Sequence, residues 1–188
     1  MKQTSLAPSL SSCSSRLGAR CAGALFAALA VFVAAPSTAH AAPGSRLGVD
    51  LDYINDINED FSEAGKGVAL RYGYKLDLLV LSVTPEVGLG GYWFGGAADP
   101  RILQGFVGGR ATFGKVLEPG VFAHLGYGSM KVLDESRGGT SIDAGVTLDL
   151  TMLPFIDLGV HAAYDAFLVK DEDAFDWFRV GAHAALAF

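Results

Sequence analysis

The most constraining feature of this sequence is a two-residue alternation of apolar and polar side chains that recurs along most of the chain. In the final segment, Phe178, Val180 and Leu186 fall on one face of a strand, while Arg179 and His183 fall on the other. Successive side chains of a β-strand point to opposite faces of its sheet. The alternation therefore predicts strands that separate apolar groups from ionic groups.

Eight segments of this kind follow one another, separated by residues that favour turns. We predict strands at approximately Ser45–Ile54, Gly67–Leu76, Leu79–Phe94, Arg101–Phe113, Pro119–Lys131, Gly139–Leu150, Ile156–Val169 and Phe175–Phe188. The short connections favour hairpins between consecutive strands. We therefore expect an all-β fold: one eight-stranded, antiparallel, up-and-down barrel.

The first 41 residues have the order of a secretory signal peptide. Lys2, Arg16 and Arg20 supply a positive start, residues 24–35 form an apolar run, and residues 39–41 (Ala-His-Ala) fit the small-x-small cleavage rule. The alternative, a membrane anchor, is disfavoured because twelve helical residues rise about 18 Å, less than a bilayer core of about 30 Å.

Cleavage at this point would leave residues 42–188 as the barrel domain. Cys13 and Cys21 would leave with the signal, so disulfides and cysteine–metal sites would be excluded. The remaining chain would carry 11 basic and 20 acidic residues, a net charge of −9 that excludes nucleic acid as a partner. No later stretch approaches 18 apolar residues, which excludes helical membrane spans.

Alternation alone leaves open which face lies outside, because a soluble barrel of the lipocalin type alternates too. Glycines on the polar face would make room for long ionic side chains in an interior that eight strands leave only just wide enough to fill. Aromatic residues of the apolar face fall near strand ends, with Tyr53, Trp93 and Tyr127 at one rim and Phe113 and Phe188 at the other. These features favour a transmembrane barrel with its polar face enclosed and two lipid-face girdles.

The apolar face is expected to be free of Asp, Glu, Lys and Arg, because a charge facing lipid at mid-depth costs about 2–4 kcal/mol. The enclosed charges must then pair, since an isolated buried ion is very costly. The predicted lumen network consists of Arg46, Asp50, Asp52, Arg71, Lys75, Glu86, Arg110, Asp143, Asp149, Asp157, His161, Asp165, Arg179 and His183.

Trp177, Phe122 and Phe106 also fall on the inner face and would help to fill it. We expect a rigid, closed interior with little or no conductance. The alternative is a narrow pathway for ions or small solutes.

His161 and His183 fall on the inner face of neighbouring strands, with Asp157, Asp165 and Arg179 near them. Two histidines and a carboxylate are the minimum for a metal or acid–base site. Membership of a polar network is the commoner role for such residues. We therefore expect no metal, cofactor or catalytic residue.

Two enzyme alternatives rest on weaker patterns. His124, Ser129 and Asp143 supply the residue types of a catalytic triad, although no spacing demands one. A lipid-modifying barrel would need a nucleophile reachable from the membrane, and the apolar face offers no histidine and few hydroxyl groups. The sequence favours a non-enzymatic protein.

The residues from Thr84 to Gly90 (TPEVGLG) and the C-terminal run ending in Phe188 resemble the eight-stranded outer-membrane β-barrel family, of the outer membrane protein A transmembrane domain and outer membrane protein X type. The resemblance covers residues 42–188. It implies a location in the outer membrane of a Gram-negative cell with both termini in the periplasm. It also implies that Leu186 and Phe188 are part of a signal for the barrel-assembly machinery.

The same topology implies periplasmic turns near Asp77, near Lys115–Glu118 and near Leu153–Pro154. The outer loops would be Asn55–Lys66, Gly95–Pro100, Leu133–Gly138 and Lys170–Ala174. Loop carboxylates could share divalent cations with lipopolysaccharide phosphates, although a solvated loop charge is the simpler interpretation. These acidic residues are Asp56, Glu59, Asp60, Glu63, Asp134, Glu135, Asp171, Glu172 and Asp173.

Two classes of function therefore compete. The first is a structural or surface protein of the outer membrane, a monomer whose partners are outer-membrane lipids, including lipopolysaccharide. The second is a small pore.

Overall fold

The computed structural model describes residues 44–56, 64–96, 99–133, 135–153, 155–170 and 174–188. The predicted signal peptide and most of the predicted loop acids lie outside these ranges. Among the described residues, no helix is long and apolar enough to cross a membrane.

Eight antiparallel strands form a closed barrel in which each strand pairs with the next and the last pairs with the first. The strands are β1 (Gly44–Asp56), β2 (Gly65–Leu78), β3 (Leu81–Trp93), β4 (Arg101–Phe113), β5 (Leu117–Val132), β6 (Glu135–Leu150), β7 (Ile156–Val169) and β8 (Phe175–Ala187). The predicted fold class and strand number are confirmed.

One end of the barrel holds the three connections β2–β3, β4–β5 and β6–β7 together with both ends of the described chain; we call it the turn end. The opposite end, which we call the loop end, holds the other four connections. The backbone of Ser45 exchanges two hydrogen bonds with that of Phe188, at 2.9 and 3.0 Å, so β1 and β8 are joined up to the turn end.

Two turn-end boundaries differ from the prediction. Leu79, predicted to begin the third strand, lies in the two-residue turn between β2 and β3 with φ 62°. The predicted turn at residues 115–118 lies earlier, beginning at Gly114 with φ 112°, a left-handed conformation that glycine adopts without steric cost. Glu118 consequently belongs to β5 instead of the turn.

The third outer loop, predicted at residues 133–138, is much shorter in the structure, because β5 ends at Val132 and β6 begins at Glu135. Gly138 and Gly139 suggested a loop in the sequence. In the structure Gly138 pairs with Ser129 and Gly139 pairs with Gly128, so small residues face each other across a continuing hairpin.

The apolar face of the strands lies outside and the ionic face lies inside. Leu89, Leu103 and Val146 are each more than half exposed, whereas Arg71 and Glu86 are buried. This is the inverse of a water-soluble barrel and is the arrangement that a lipid environment requires.

The aromatic residues of the two predicted girdles lie on this outer surface. Tyr53, Trp93 and Tyr127 point outward in the half of the barrel nearer the loop end, and Phe113 and Phe188 point outward at the turn end. Aromatic rings at both rims are typical of barrels that span a bilayer.

The expectation of a charge-free outer face is wrong at the loop end. Arg101, Lys131 and Asp176 lie on the outward-facing register, at the first residue of β4, the penultimate residue of β5 and the second residue of β8. A charge at a strand end meets the headgroup region, where its cost falls to about 0–1 kcal/mol.

Candidate functional site

The loop-end half of the lumen is filled by an apolar and aromatic cluster. Trp177 is fully buried, and its ring centroid lies 5.3 Å from that of Phe175 and 5.6 Å from those of Phe94 and Tyr92. The whole cluster is Ile54, Tyr92, Phe94, Ile102, Phe167, Phe175 and Trp177. Of these, Trp177 is the residue that the alternation predicts to fill the lumen.

Arginines cross-link carboxylates from different strands in the middle of the lumen. Arg71 Nε donates to both oxygens of Asp50, at 2.9 and 3.0 Å, and Arg71 Nη1 donates to Glu86 Oε1 at 2.7 Å. Arg110 forms ion pairs with Glu86 and Asp149, both at 3.3 Å. These charge-assisted contacts fix β1, β2, β3, β4 and β6 relative to one another.

His124 lies beside this group and bridges two carboxylates. Its Nδ1 is 2.8 Å from Asp143 Oδ1, and its Nε2 is 3.1 Å from Glu86 Oε2. Ser129 lies elsewhere, with its hydroxyl 2.7 Å from that of Ser136 near the loop end. The histidine and the aspartate of the triad alternative are thus in contact, whereas its serine bonds to another residue.

His161 and His183 face each other with their Nδ1 atoms 3.2 Å apart. His161 Nε2 lies 2.6 Å from Asp52 Oδ1, and His183 Nε2 lies 2.8 Å from Asp149 Oδ1. Asp50 is the third member of this group, because one of its oxygens and one nitrogen of each histidine lie within 4.8 Å of one another. All three side chains are buried.

The two carboxylates predicted to lie near the histidine pair bind arginines instead. Asp157 is half-buried at the turn end and accepts from Arg46 Nε at 2.8 Å. Asp165 accepts from Arg179 Nε at 2.8 Å. The Nη1 of Arg179 also lies 3.3 Å from the hydroxyl of Tyr92, where the ionic half of the lumen meets the aromatic half.

Glu118, which the sequence predicts to lie between two strands, cross-links the side chains at the turn end of the lumen. Glu118 accepts from Lys75 Nζ at 2.7 and 2.8 Å, from Thr112 Oγ1 at 2.9 Å and from Thr151 Oγ1 at 3.1 Å. The sequence does contain a signal for this inward position. Glu118 precedes the inward-facing Phe122 by four residues, and residues an even number apart in a strand point to the same face.

Within the described residues, the lumen holds more acidic than basic groups. Five basic side chains face eight carboxyl groups, an excess of three when all are ionised. The basic residues are Arg46, Arg71, Lys75, Arg110 and Arg179. The acidic residues are Asp50, Asp52, Glu86, Glu118, Asp143, Asp149, Asp157 and Asp165. The interior spaces between these groups include one of about 30 Å³ at the turn end and one of about 10 Å³ in the centre.

A strip of basic and aromatic side chains crosses the outer surface at the loop end. Lys66 of β2 pairs with Trp93 of β3, Trp93 pairs with Arg101 of β4, and Arg101 pairs with Lys131 of β5. All four side chains are exposed, and Arg101 forms an exposed ion pair with Asp99. Neighbouring strands lie about 4.8 Å apart, so the three cations form one continuous patch.

The barrel is similar to several solved structures of outer-membrane proteins. Neisserial surface protein A matches with a TM-score of 0.59 at 16% identity, over 77% of this chain and 97% of that chain. Ail, the attachment invasion locus protein of Yersinia pestis, matches with a TM-score of 0.50 at 17% identity, over 78% and 100%. The outer membrane enzyme PagL matches with a TM-score of 0.52 at 15% identity, over 75% and 99%.

A scan against protein-family models and a search of curated proteins both give no match. At these identities, the structural likeness shows the fold, which is that of outer-membrane eight-stranded barrels.

Proposed function

We propose that this chain is a non-enzymatic structural protein of the outer membrane whose barrel is closed to solutes. The observation that carries this proposal is the filled lumen, with aromatic rings packed at the loop end and cross-linked charges through the rest. Two spaces among the charged groups of the described residues measure about 30 and 10 Å³, and each accommodates at most one or two water molecules.

Single-channel recording tests the proposal. The purified, folded barrel in a planar bilayer is expected to give no steady current above the bare-membrane baseline, while a general-diffusion porin in the same bilayer gives large steps. A stable, reproducible conductance that scales with the amount of this protein would instead establish the small-pore alternative.

The non-enzymatic part of the proposal is supported by where the histidines point. His124, His161 and His183 are all buried in the lumen and hydrogen-bonded to carboxylates, so none of them reaches the outer surface where an acyl chain would lie. A lipid-modifying site of the serine–histidine type would need a histidine on that surface.

We also propose that the loop-end strip of Lys66, Trp93, Arg101 and Lys131 contacts the phosphates of lipopolysaccharide. Cations beside an amphipathic ring at a membrane boundary suit an anionic headgroup. Replacing Lys131 with Glu is expected to lower the amount of lipopolysaccharide that co-purifies, whereas the same charge change at Lys115, in a turn at the other end, leaves it unchanged. Equal retention by both variants would contradict the contact, and a mass change of the retained lipid A would contradict the non-enzymatic proposal.

We propose that the outward-facing Leu186 and Phe188 at the end of β8 are presented to the barrel-assembly machinery. We propose a monomer because the closure of β1 on β8 leaves no free strand edge for a second copy. Deleting Phe188 should lower the yield of folded barrel in membranes, and cross-linking in membranes should give no dimer.

A further inference from the structure

The arrangement of His161 and His183 favours a positive charge between them. A carboxylate accepts hydrogen bonds and donates none, so Asp52 at 2.6 Å and Asp149 at 2.8 Å favour a proton on the Nε2 of their histidine, and the longer contact of 3.5 Å from Arg110 Nη1 to His183 Nε2 competes only weakly. The Nδ1 atoms of two neutral rings then carry lone pairs, and these atoms face each other at 3.2 Å. Two lone pairs at that distance repel unless a proton or a metal ion lies between them.

We propose that His161 and His183, with Asp50 as the third ligand, bind a divalent transition-metal ion of the zinc type in the lumen. Zinc lies about 2.0–2.1 Å from imidazole nitrogen, so two such ligands of a tetrahedral ion are about 3.3–3.4 Å apart. The observed separation of 3.2 Å is close to that value. Imidazole and carboxylate together suit zinc and its neighbours better than they suit calcium or magnesium.

The outer contacts of the two rings are those of a metal site. Histidines that bind metals by one nitrogen usually donate the other N–H to a carboxylate, which orients the ring and makes it more basic. Asp52 and Asp149 are placed to do this for His161 and His183 respectively. The third ligand, Asp50, already accepts from Arg71, but each carboxylate oxygen keeps a second lone pair.

The surrounding charge also favours a cation. The guanidinium groups of Arg71, Arg110 and Arg179 lie nearby, and each is already paired with at least two carboxylates. After these pairings, the lumen retains its excess of three acidic groups over basic ones. A divalent ion at the histidine pair would offset two of these three charges.

Glycines on the two histidine strands leave the space that this group occupies. A Cβ at position 159 would lie 2.4 Å from His183 Nε2, and one at position 181 would lie 2.7 Å from His161 Cε1. Both distances are too short for any side chain, so Gly159 and Gly181 are what allow the rings to reach their carboxylates.

The site would join the strands that close the barrel. Asp50 of β1 pairs directly with His183 of β8, and His161 lies on β7, which pairs with β8. An ion held by all three residues would link β7, β8 and β1 across the seam where the ends of the chain meet. Its role would be structural, and the inference does not depend on whether the barrel conducts.

To test zinc binding, the protein is folded in detergent in the presence of a chelator and desalted to give the metal-free form. Excess Zn²⁺ is then added, and a second desalting step removes the unbound ion. We expect about one zinc per barrel by elemental analysis and a higher unfolding temperature with zinc than with chelator. H161Q and H183Q are expected to lose the metal, because a Gln amide keeps the N–H donor to the carboxylate and removes Nδ1. H124Q is the matched control and should keep one zinc.

A second measurement on the unaltered protein covers the case in which a variant does not fold. With ¹⁵N-labelled histidine, zinc should shift the imidazole signals of His161 and His183 and leave those of His124 in place. The proposal is overturned if the unaltered barrel retains no zinc after desalting, which would mean that a proton alone occupies the gap. It is equally overturned if H161Q and H183Q fold and retain as much zinc as H124Q, or if the two imidazole signals do not move.

Discussion

Glu118 shows how much a single residue can contribute to a closed lumen. Its carboxylate accepts hydrogen bonds from Lys75, Thr112 and Thr151, which come from three different strands or turns, and its side chain is 3% exposed. Lys75 is buried as well, so its ammonium depends on Glu118 for compensation. Removing one partner of a buried ion pair leaves the other charge buried and uncompensated, which is strongly destabilising.

We predict that Glu118→Gln destabilises the barrel by about 3–5 kcal/mol, the range found when one member of a buried ion pair is removed. The amide keeps the size of the side chain, so the loss reports charge rather than volume. Equilibrium unfolding in urea, with the barrel reconstituted in lipid vesicles, measures the change in the free energy of unfolding.

Glu135→Gln is the control, because Glu135 likewise accepts from a cationic side chain, that of Arg137 at 2.8 Å, but is itself 75% exposed. Exposed pairs contribute little. If Glu118→Gln and Glu135→Gln gave the same small change, the turn-end group would not be stabilising the lumen.

Strands are the scale at which the sequence is most informative, because a period of two sets which side chains share a face. The alternation places Arg179 and His183 on the same face of β8, and in the structure that face lies inside, where both are buried. Strand boundaries are harder to predict, since Gly138 and Gly139 have the same local sequence signal in a hairpin strand as in a loop.

Partnerships inside the lumen could not be obtained from strand patterns. Asp52 and His161 are 109 residues apart, and Lys75 and Glu118 are 43 residues apart. Such pairs depend on how strands are staggered around the closed barrel, which alternation does not report. For this reason the pattern groups Asp157 and Asp165 with the histidines, although in the structure each pairs with an arginine.

Packing between strands predicts that Gly181→Ala disrupts the barrel. A Cβ on this β8 residue would lie 2.4 Å from Asp52 Oδ1 and 2.6 Å from the backbone oxygen of Leu51, both on β1. Since backbone must move to relieve the second contact, we expect a loss of stability and of the heat-dependent gel shift that marks a folded barrel.

Gly105→Ala is the matched change on the outer face, where the nearest atom to a new Cβ is 3.5 Å away, an ordinary contact. We expect this variant to fold as the unaltered protein does, or slightly better because alanine loses less backbone freedom in a strand. Similar behaviour of Gly105→Ala and Gly181→Ala would show that the interior does not need glycine at position 181.

For the molecule as a whole, the two ends of the barrel differ in chemistry, and this difference predicts its orientation. The loop end carries the outward cations Arg101 and Lys131, which suit an outer leaflet rich in phosphate, while the turn end carries exposed apolar residues such as Leu79 and Phe155. We therefore expect the loop end to face the cell exterior and the turn end to face the periplasm, with both ends of the barrel domain on the periplasmic side.

Leu133 and Leu79 provide a matched pair for this test, because both are exposed turn residues with positive φ, 54° and 62°, at opposite ends of the barrel. The barrel domain contains no cysteine, so Leu133→Cys and Leu79→Cys each introduce a single thiol. A membrane-impermeant maleimide added to intact cells should label Leu133→Cys, and it should label Leu79→Cys after the outer membrane is opened. Labelling of Leu79→Cys on intact cells, with Leu133→Cys protected, would mean that the barrel is inserted in the opposite direction, and the cationic strip would then face a leaflet without lipopolysaccharide.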